Sequence, residues 1–201
     1  MILGLTGGIG CGKSEAARGF AARGFELVDS DALIRENVLR DPKIVRELKA
    51  RFGEAVVAPS GEVDRSVLGL RVFGDDRERI WLEGLTHPAL FRLWRERLAM
   101  NPKARWIFEV PLLFEQALEN WFDFTICVAC SPENQIVRLE RRGLSPELAE
   151  QRISKQLPLA RKIELADKVL WNDGTVSFLQ AQIDVVVDSL PIDPIFNPTS
   201  A

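Results

Sequence analysis

The chain has 201 residues, 46% of them hydrophobic and 27% charged, with a formal net charge of -3. That length suits one substantial core, or a core with a small insertion, and is short for two full domains. The acidic balance argues against a nucleic-acid partner, no apolar run approaches the ~20 residues that span a bilayer, and three cysteines fit a reducing compartment better than a disulfide framework.

In chain order, residues 2–5 read as an apolar strand that enters the sequence without a charged leader, so a cytoplasmic protein with no membrane partner is expected. Gly7-Gly8-Ile9-Gly10-Cys11-Gly12-Lys13-Ser14 follows and fits the P-loop pattern G-x-x-x-x-G-K-S/T at every fixed position. A strand, a glycine-rich loop and a helix in that order surround an anion with backbone N–H groups and the positive end of a helix. Gly8, Ile9, Gly10, Cys11, Gly12, Lys13 and Ser14 are therefore candidate nucleotide ligands. Lys13 supplies a mobile cation for the outer phosphates, and Ser14 a hydroxyl for Mg²⁺. Residues 14–23 read as the helix, with Ala16, Ala17, Phe20 and Ala21 on its packed side and Gly24 to stop it.

Residues 25–28 form the second strand candidate, expected beside the P-loop strand and ending on the same edge. Asp29-Ser30-Asp31 then brings two carboxylates toward the phosphates. One can hold Mg²⁺ through water, and the other can accept the proton of an attacking hydroxyl, a role worth ~10² to 10⁴ in rate. The alternative is that one of them caps a helix starting near Ala32.

Residues 32–104 hold no convincing strand and read as a helical insertion, a natural place for a second substrate. Its helices are expected over 41–52, 65–72 and 76–100. Asp41-Pro42 caps the first, whose buried stripe is Ile44, Val45, Leu48 and Phe52, and Pro59-Ser60-Gly61 makes a turn. His87, the single histidine, sits in Thr86-His87-Pro88. It is either a helix-end or hydrogen-bonding residue or one that positions substrate.

The third strand, 106–110, carries an acid near its end at Glu109, as a Walker-B element would, although Glu stands in place of Asp; Glu109 and Asp29 are both candidate metal neighbours. Pro111-Leu112-Leu113-Phe114-Glu115 follows, its proline fixing the chain as it leaves the sheet. The fourth strand, 124–129, contains Cys127, and Cys130 follows it. This C-x-x-C reads as core packing rather than redox or metal chemistry. Cys11 reads as a tolerated small residue, although its oxidation could block the loop.

Ser131-Pro132 and Ser145-Pro146 cap short helices rich in cations: Arg138, Arg141, Arg142, Arg152, Lys155, Arg161 and Lys162. Such a run is either a solvated face or a lid that closes over the phosphates from about 135 to 165. Arg142 is the first choice for the transferring phosphoryl group, and Arg138 is equally a structural ion-pair partner. The fifth strand, 168–171, runs into Asn172-Asp173-Gly174, either a plain turn or a lining of the adenine site. Residues 191–201 are proline-punctuated and read as a loose tail. Strands alternating with helices behind a P-loop give an α/β class: a five-stranded parallel sheet covered on both faces.

Six motifs stand here in the order and spacing of one family. They are the loop from Thr6 to Ser14, Asp29-Ser30-Asp31, Thr86-His87-Pro88, Pro111-Leu112-Leu113-Phe114-Glu115, Gln156-Leu157-Pro158-Leu159 with Lys162, and Ala166-Asp167 through Asn172-Asp173-Gly174. Over residues 1–190 the chain resembles dephospho-coenzyme A kinase. The resemblance implies a single P-loop NTPase domain of three parts, a core over 1–31 and 105–190, a substrate-binding insertion over about 32–104, and the lid. It implies transfer of phosphate from ATP, with Mg²⁺, to the ribose 3′-hydroxyl of dephospho-coenzyme A, by a monomer or weak homo-oligomer. Asp31 matches the base, Lys13 and Ser14 the phosphate and Mg²⁺ ligands, and Arg142 the lid arginine. Residues 8–15 and Asn172 fall at the ATP site, and Asp29, Asp31, His87, Pro111 and Leu112 at the acceptor site. The implied strand order has the second strand at one edge and the P-loop strand central.

Two positions depart from the family pattern. Glu15 stands where a threonine is common, and its carboxylate repels phosphate unless it turns away; Ser30 replaces a common alanine. A P-loop kinase of another small hydroxylated or nucleotide substrate, a GTP-dependent switch or assembly factor and an inactive nucleotide binder are the rival readings. The switch lacks the N-K-x-D guanine signature.

Overall fold

Short aliphatic runs cut off by glycine, aspartate or asparagine make the strands, and the cap-and-stripe segments between them make the helices. The structure is a computed structural model that describes residues 1–72 and 75–191, so most of the proline-punctuated tail lies outside the described residues. Two compact units divide it, residues 1–29 with 103–201, and residues 30–102.

The first unit holds β1 (Ile2–Gly7), β2 (Phe25–Asp29), β3 (Arg105–Glu109), β4 (Phe124–Ala129) and β5 (Lys168–Trp171). They form one parallel sheet in the order β2-β3-β1-β4-β5. The P-loop strand is central, as the resemblance implies, with every residue of β1 buried. The expectation that β2 neighbours β1 is corrected, because β3 occupies the place between them. The crossover from β1 through α1 (Lys13–Ala21) skips one position, and the strand that returns from the insertion fills it. This register sets Asp29 directly opposite Glu109.

Helix α1 buries Ala16, Ala17 and Phe20 against Leu3, Leu5 and Ile107 of the sheet and against Leu179, Ile183 and Val186 of α9 (Val176–Ser189). Full burial of a side chain such as Phe20 is worth ~1.5–3 kcal/mol. Its ring meets that of Phe25 edge-on, with centroids 5.5 Å apart. After β4 come α6 (Pro132–Glu140), α7 (Pro146–Ser154) and α8 (Leu159–Leu165), the first two capped by Ser131 and Ser145 as read from the sequence. Asp167 pins the start of β5 to β4, its Oδ2 accepting from the Thr125 amide and hydroxyl, each at 2.8 Å.

The second unit is built from α2 (Ser30–Glu36), α3 (Pro42–Phe52), α4 (Arg65–Val72) and α5 (Asp76–Met100). Asp41 caps α3 by accepting from the Lys43 amide at 2.8 Å. Ile44 and Leu48 then pack with Val38, Leu39, Val56, Leu68 and Val72 in a core of their own. The 59–61 turn closes a small antiparallel bridge between Val57 and Val63. Phe52 stacks edge-on against Trp81, over which the Arg51 guanidinium also lies while it binds both oxygens of Glu78.

Candidate active site

The loop after β1 is shaped by glycines. Gly12 caps α1 in the left-handed region at φ 93°, and a Cβ there would stand 2.2 Å from Asn172 Nδ2. At Gly7 a Cβ would stand 2.2 Å from the Val128 carbonyl, so only glycine lets β4 pass this close. The Lys13 ammonium donates to the carbonyls of Gly7 and Gly8 at 3.2 and 3.1 Å, across the mouth of the loop.

Ser14 is exposed one residue into α1, and its hydroxyl donates to Glu109 Oε1 at 3.1 Å. Three oxygen-bearing groups, those of Ser14, Glu109 and Asp29, thus belong to one edge of the sheet. Hard oxygen donors suit a hard divalent cation. Among the described residues no cluster of three His, Cys, Asp or Glu side chains forms a cage.

Glu15, which departs from the family pattern, pairs with Arg18 one turn along α1. Its carboxylate is thereby engaged with a cation on the same helix.

Two glutamines that the sequence reading did not single out as site residues hold the loop from the other side. The buried Gln135 of α6 donates Nε2 to the Ile9 carbonyl at 2.8 Å, and Gln156 accepts from the Ile9 amide at 2.9 Å. Arg138 braces the loop: it donates to the Asn172 carbonyl at 2.6 Å and to those of Cys11 and Gly10 at 3.4 and 3.5 Å, and its charge helps to lower Asp173. Asn172 is buried and its amide donates to the Cys11 carbonyl at 2.9 Å, beneath the loop. Burial opposes ionisation of Asp173, but hydrogen bonds from Asn134 and Ser131 win and hold its carboxyl below the ordinary range.

A buried charge pair organises the segment after β3. Lys162 is fully buried, 2.7 Å from Glu115 Oε1 and 2.8 Å from the Pro111 carbonyl, which also accepts from the Thr6 hydroxyl at 3.2 Å. Glu115 accepts in turn from the Leu157 amide at 3.0 Å. Pro111 and Glu115, which flank half-buried Leu112 in the chain, are therefore tied to α8 and to the α7–α8 connection. Arg142 is exposed in the turn past α6, its amide donating to the Leu139 carbonyl at 3.0 Å.

In the helical unit, α2 begins at Ser30 rather than near Ala32, so Asp31 lies within its first turn and is exposed. A carboxylate there is favoured by the helix dipole, so Asp31 stands inside the first turn and not at the cap of a helix starting near Ala32. His87 lies within α5 and not at a helix end, because Pro88 is accommodated inside the helix. The preceding Thr86 hydroxyl satisfies the Leu82 carbonyl at 2.8 Å, and the His87 ring lies 5.3 Å from that of Phe91.

The family model for dephospho-CoA kinase matches residues 1–177. The chain belongs to the dephospho-CoA kinase family. A dephospho-CoA kinase from Thermosynechococcus vestitus is 42% identical over 185 residues, covering 90% of this chain and 91% of the relative. A protein from Thermus thermophilus of known crystal structure aligns with a TM-score of 0.83 at 36% identity, over 95% of this chain and 98% of that one. The dephospho-CoA kinase from Campylobacter jejuni shares the fold, with a TM-score of 0.66 at 23% identity over 93% and 95% of the two chains. Kinases of this family use ATP, generally with a divalent metal. No helix among the described residues is long and apolar enough to cross a membrane.

Proposed function

We propose that this chain transfers the γ-phosphoryl group of ATP to the ribose 3′-hydroxyl of dephospho-coenzyme A, giving coenzyme A and ADP, the last step of coenzyme A synthesis. The observation that carries the reading is the P-loop with Ser14 set against Glu109, a phosphate cradle with its cation ligands on one sheet edge, in a chain of this family.

In this mechanism the amides of residues 8–15 surround the phosphates, and Lys13 leaves the Gly7 and Gly8 carbonyls to follow the γ-phosphoryl charge. The oxygens of Ser14 and Glu109, with Asp29, would hold Mg²⁺. When bound, Mg²⁺ neutralises charge on the phosphate oxygens. Asp31, an exposed carboxylate, accepts the proton of the 3′-hydroxyl as the oxygen attacks. His87 in the helical unit and Pro111 and Leu112 after β3 orient the acceptor. Arg142, exposed and on a short turn, covers the transferring group, and the segment of about 135–165 acts as the lid. Arg138, bound to the loop backbone, sets the loop's shape.

A substrate panel tests the proposal. ADP release should depend on dephospho-coenzyme A and be negligible with nucleoside monophosphates; the reverse preference overturns it.

A further inference from the structure

The C-x-x-C of the sequence has a partner outside itself. Cys11 of the phosphate loop and Cys130, just past β4, are both buried, and the Cys130 thiol donates to Cys11 Sγ across 3.5 Å. Cys11 is packed beneath the loop, so that a Cβ on Gly8 would come within 2.9 Å of its sulfur. All three cysteines are free thiols.

We propose that Cys11 and Cys130 form a peroxide-sensitive dithiol whose oxidation switches off nucleotide binding. The Cys11 thiolate attacks a peroxide, hydroperoxide or hydrogen peroxide, breaking the O–O bond to give a sulfenic acid and hydroxide or alkoxide. The Cys130 sulfur then attacks the sulfenic sulfur, the S–O bond breaks, and water leaves. With hydrogen peroxide, two thiols and one peroxide become one disulfide and two waters.

The two thiols differ in the direction this requires. The hydrogen bond from Cys130 draws the Cys11 thiol below its ordinary pKa; burial opposes this, and the Lys13 charge assists. The hydrogen bond to Cys11 raises Cys130, with burial adding to it, which suits the partner that keeps its proton until the sulfenic acid forms. Cys127 is pushed up to about 12 by burial and stays inert.

Closing the bridge shortens the sulfur separation from 3.5 Å to about 2.05 Å. In this proposal the backbone of Cys11 follows its sulfur, against the hydrogen bonds that its carbonyl accepts from Asn172 and Arg138. The amides of Gly12 and Lys13 then leave the positions that cradle an anion. Because both sulfurs are buried, oxidation proceeds through opening of the loop, and bound ATP slows it.

The loss of activity rests on the reading of this loop as the ATP site, whereas the cross-link does not. The test is therefore a peptide map under non-reducing conditions after hydrogen peroxide treatment, beside binding of a fluorescent ATP analogue. A Cys11–Cys130 linkage is expected, with nucleotide affinity reduced ~10-fold or more by displacement of the anion cradle and restored by dithiothreitol. Cys130→Ser should remain active before peroxide and form no disulfide at Cys11 after it, and Cys127→Ser should cross-link like the parent. Absence of the linkage, a bridge to Cys127, or a linked protein that binds nucleotide normally overturns the proposal. Failure to phosphorylate dephospho-coenzyme A would defeat the functional reading while leaving the linkage and binding results as they stand.

Discussion

The Ser14 hydroxyl rests on Glu109 Oε1 at 3.1 Å, joining the first turn after the phosphate loop to the end of the neighbouring strand. Asp29 stands opposite Glu109 in the next strand pair. The relationship predicts that Glu109→Gln weakens cation use rather than nucleotide binding. Half-maximal activity should need about 10- to 100-fold more Mg²⁺, with the KM for ATP little changed once Mg²⁺ saturates. A Mg²⁺ titration identical to the parent's would remove Glu109 from the cation site.

Lys162→Met leaves the Glu115 carboxylate without its 2.7 Å partner in a buried position. Breaking one side of such a pair costs about 3–5 kcal/mol, whereas replacing both sides by apolar groups is close to neutral. Urea unfolding should therefore show a large loss for Lys162→Met and substantial recovery in Lys162→Met with Glu115→Leu. A single variant within ~1 kcal/mol of the parent would mean that the pair is a solvent-screened one.

How far the sequence reveals this molecule depends on the range of the interaction. Local signals are sufficient for β4, β5, α4 and α5, where capping acids, glycines and prolines bound short apolar runs. The P-loop is legible for the same reason, since one loop and one helix end make its anion site. The place of β2 is not local: nothing in residues 25–29 says that β3 will pass between it and β1. Gln135 and Gln156 are likewise ordinary helix and connector residues until the chain returns them to Ile9, 126 and 147 positions away. The helix expected over 76–100 runs through Pro88, and α5 absorbs that proline in its middle, which leaves His87 inside the helix and not at its end.

Gly12→Ala meets two separate obstacles, a φ of 93° and a Cβ only 2.2 Å from Asn172 Nδ2. The variant should bind ATP at least ~10-fold more weakly, since left-handed backbone alone costs an alanine roughly 1–2 kcal/mol. Adding Asn172→Ala removes the clash but not the strain, so recovery should be partial. Full recovery, measured by calorimetric titration with ATP, would show that the backbone at Gly12 relaxes without harm to the cradle.

Asp31→Asn keeps the shape of the first turn of α2 and removes the proton acceptor. The kcat should fall by ~10² to 10⁴ while the KM for ATP changes little. Equal turnover in the two proteins would assign Asp31 to the helix start alone.

The most direct measurement follows the phosphorus. With purified protein, ATP, Mg²⁺ and dephospho-coenzyme A, phosphorus NMR should show one new phosphomonoester on the ribose 3′ oxygen for each ADP formed. ADP appearing with inorganic phosphate while dephospho-coenzyme A is unchanged, or phosphate on a different hydroxyl, would contradict the account.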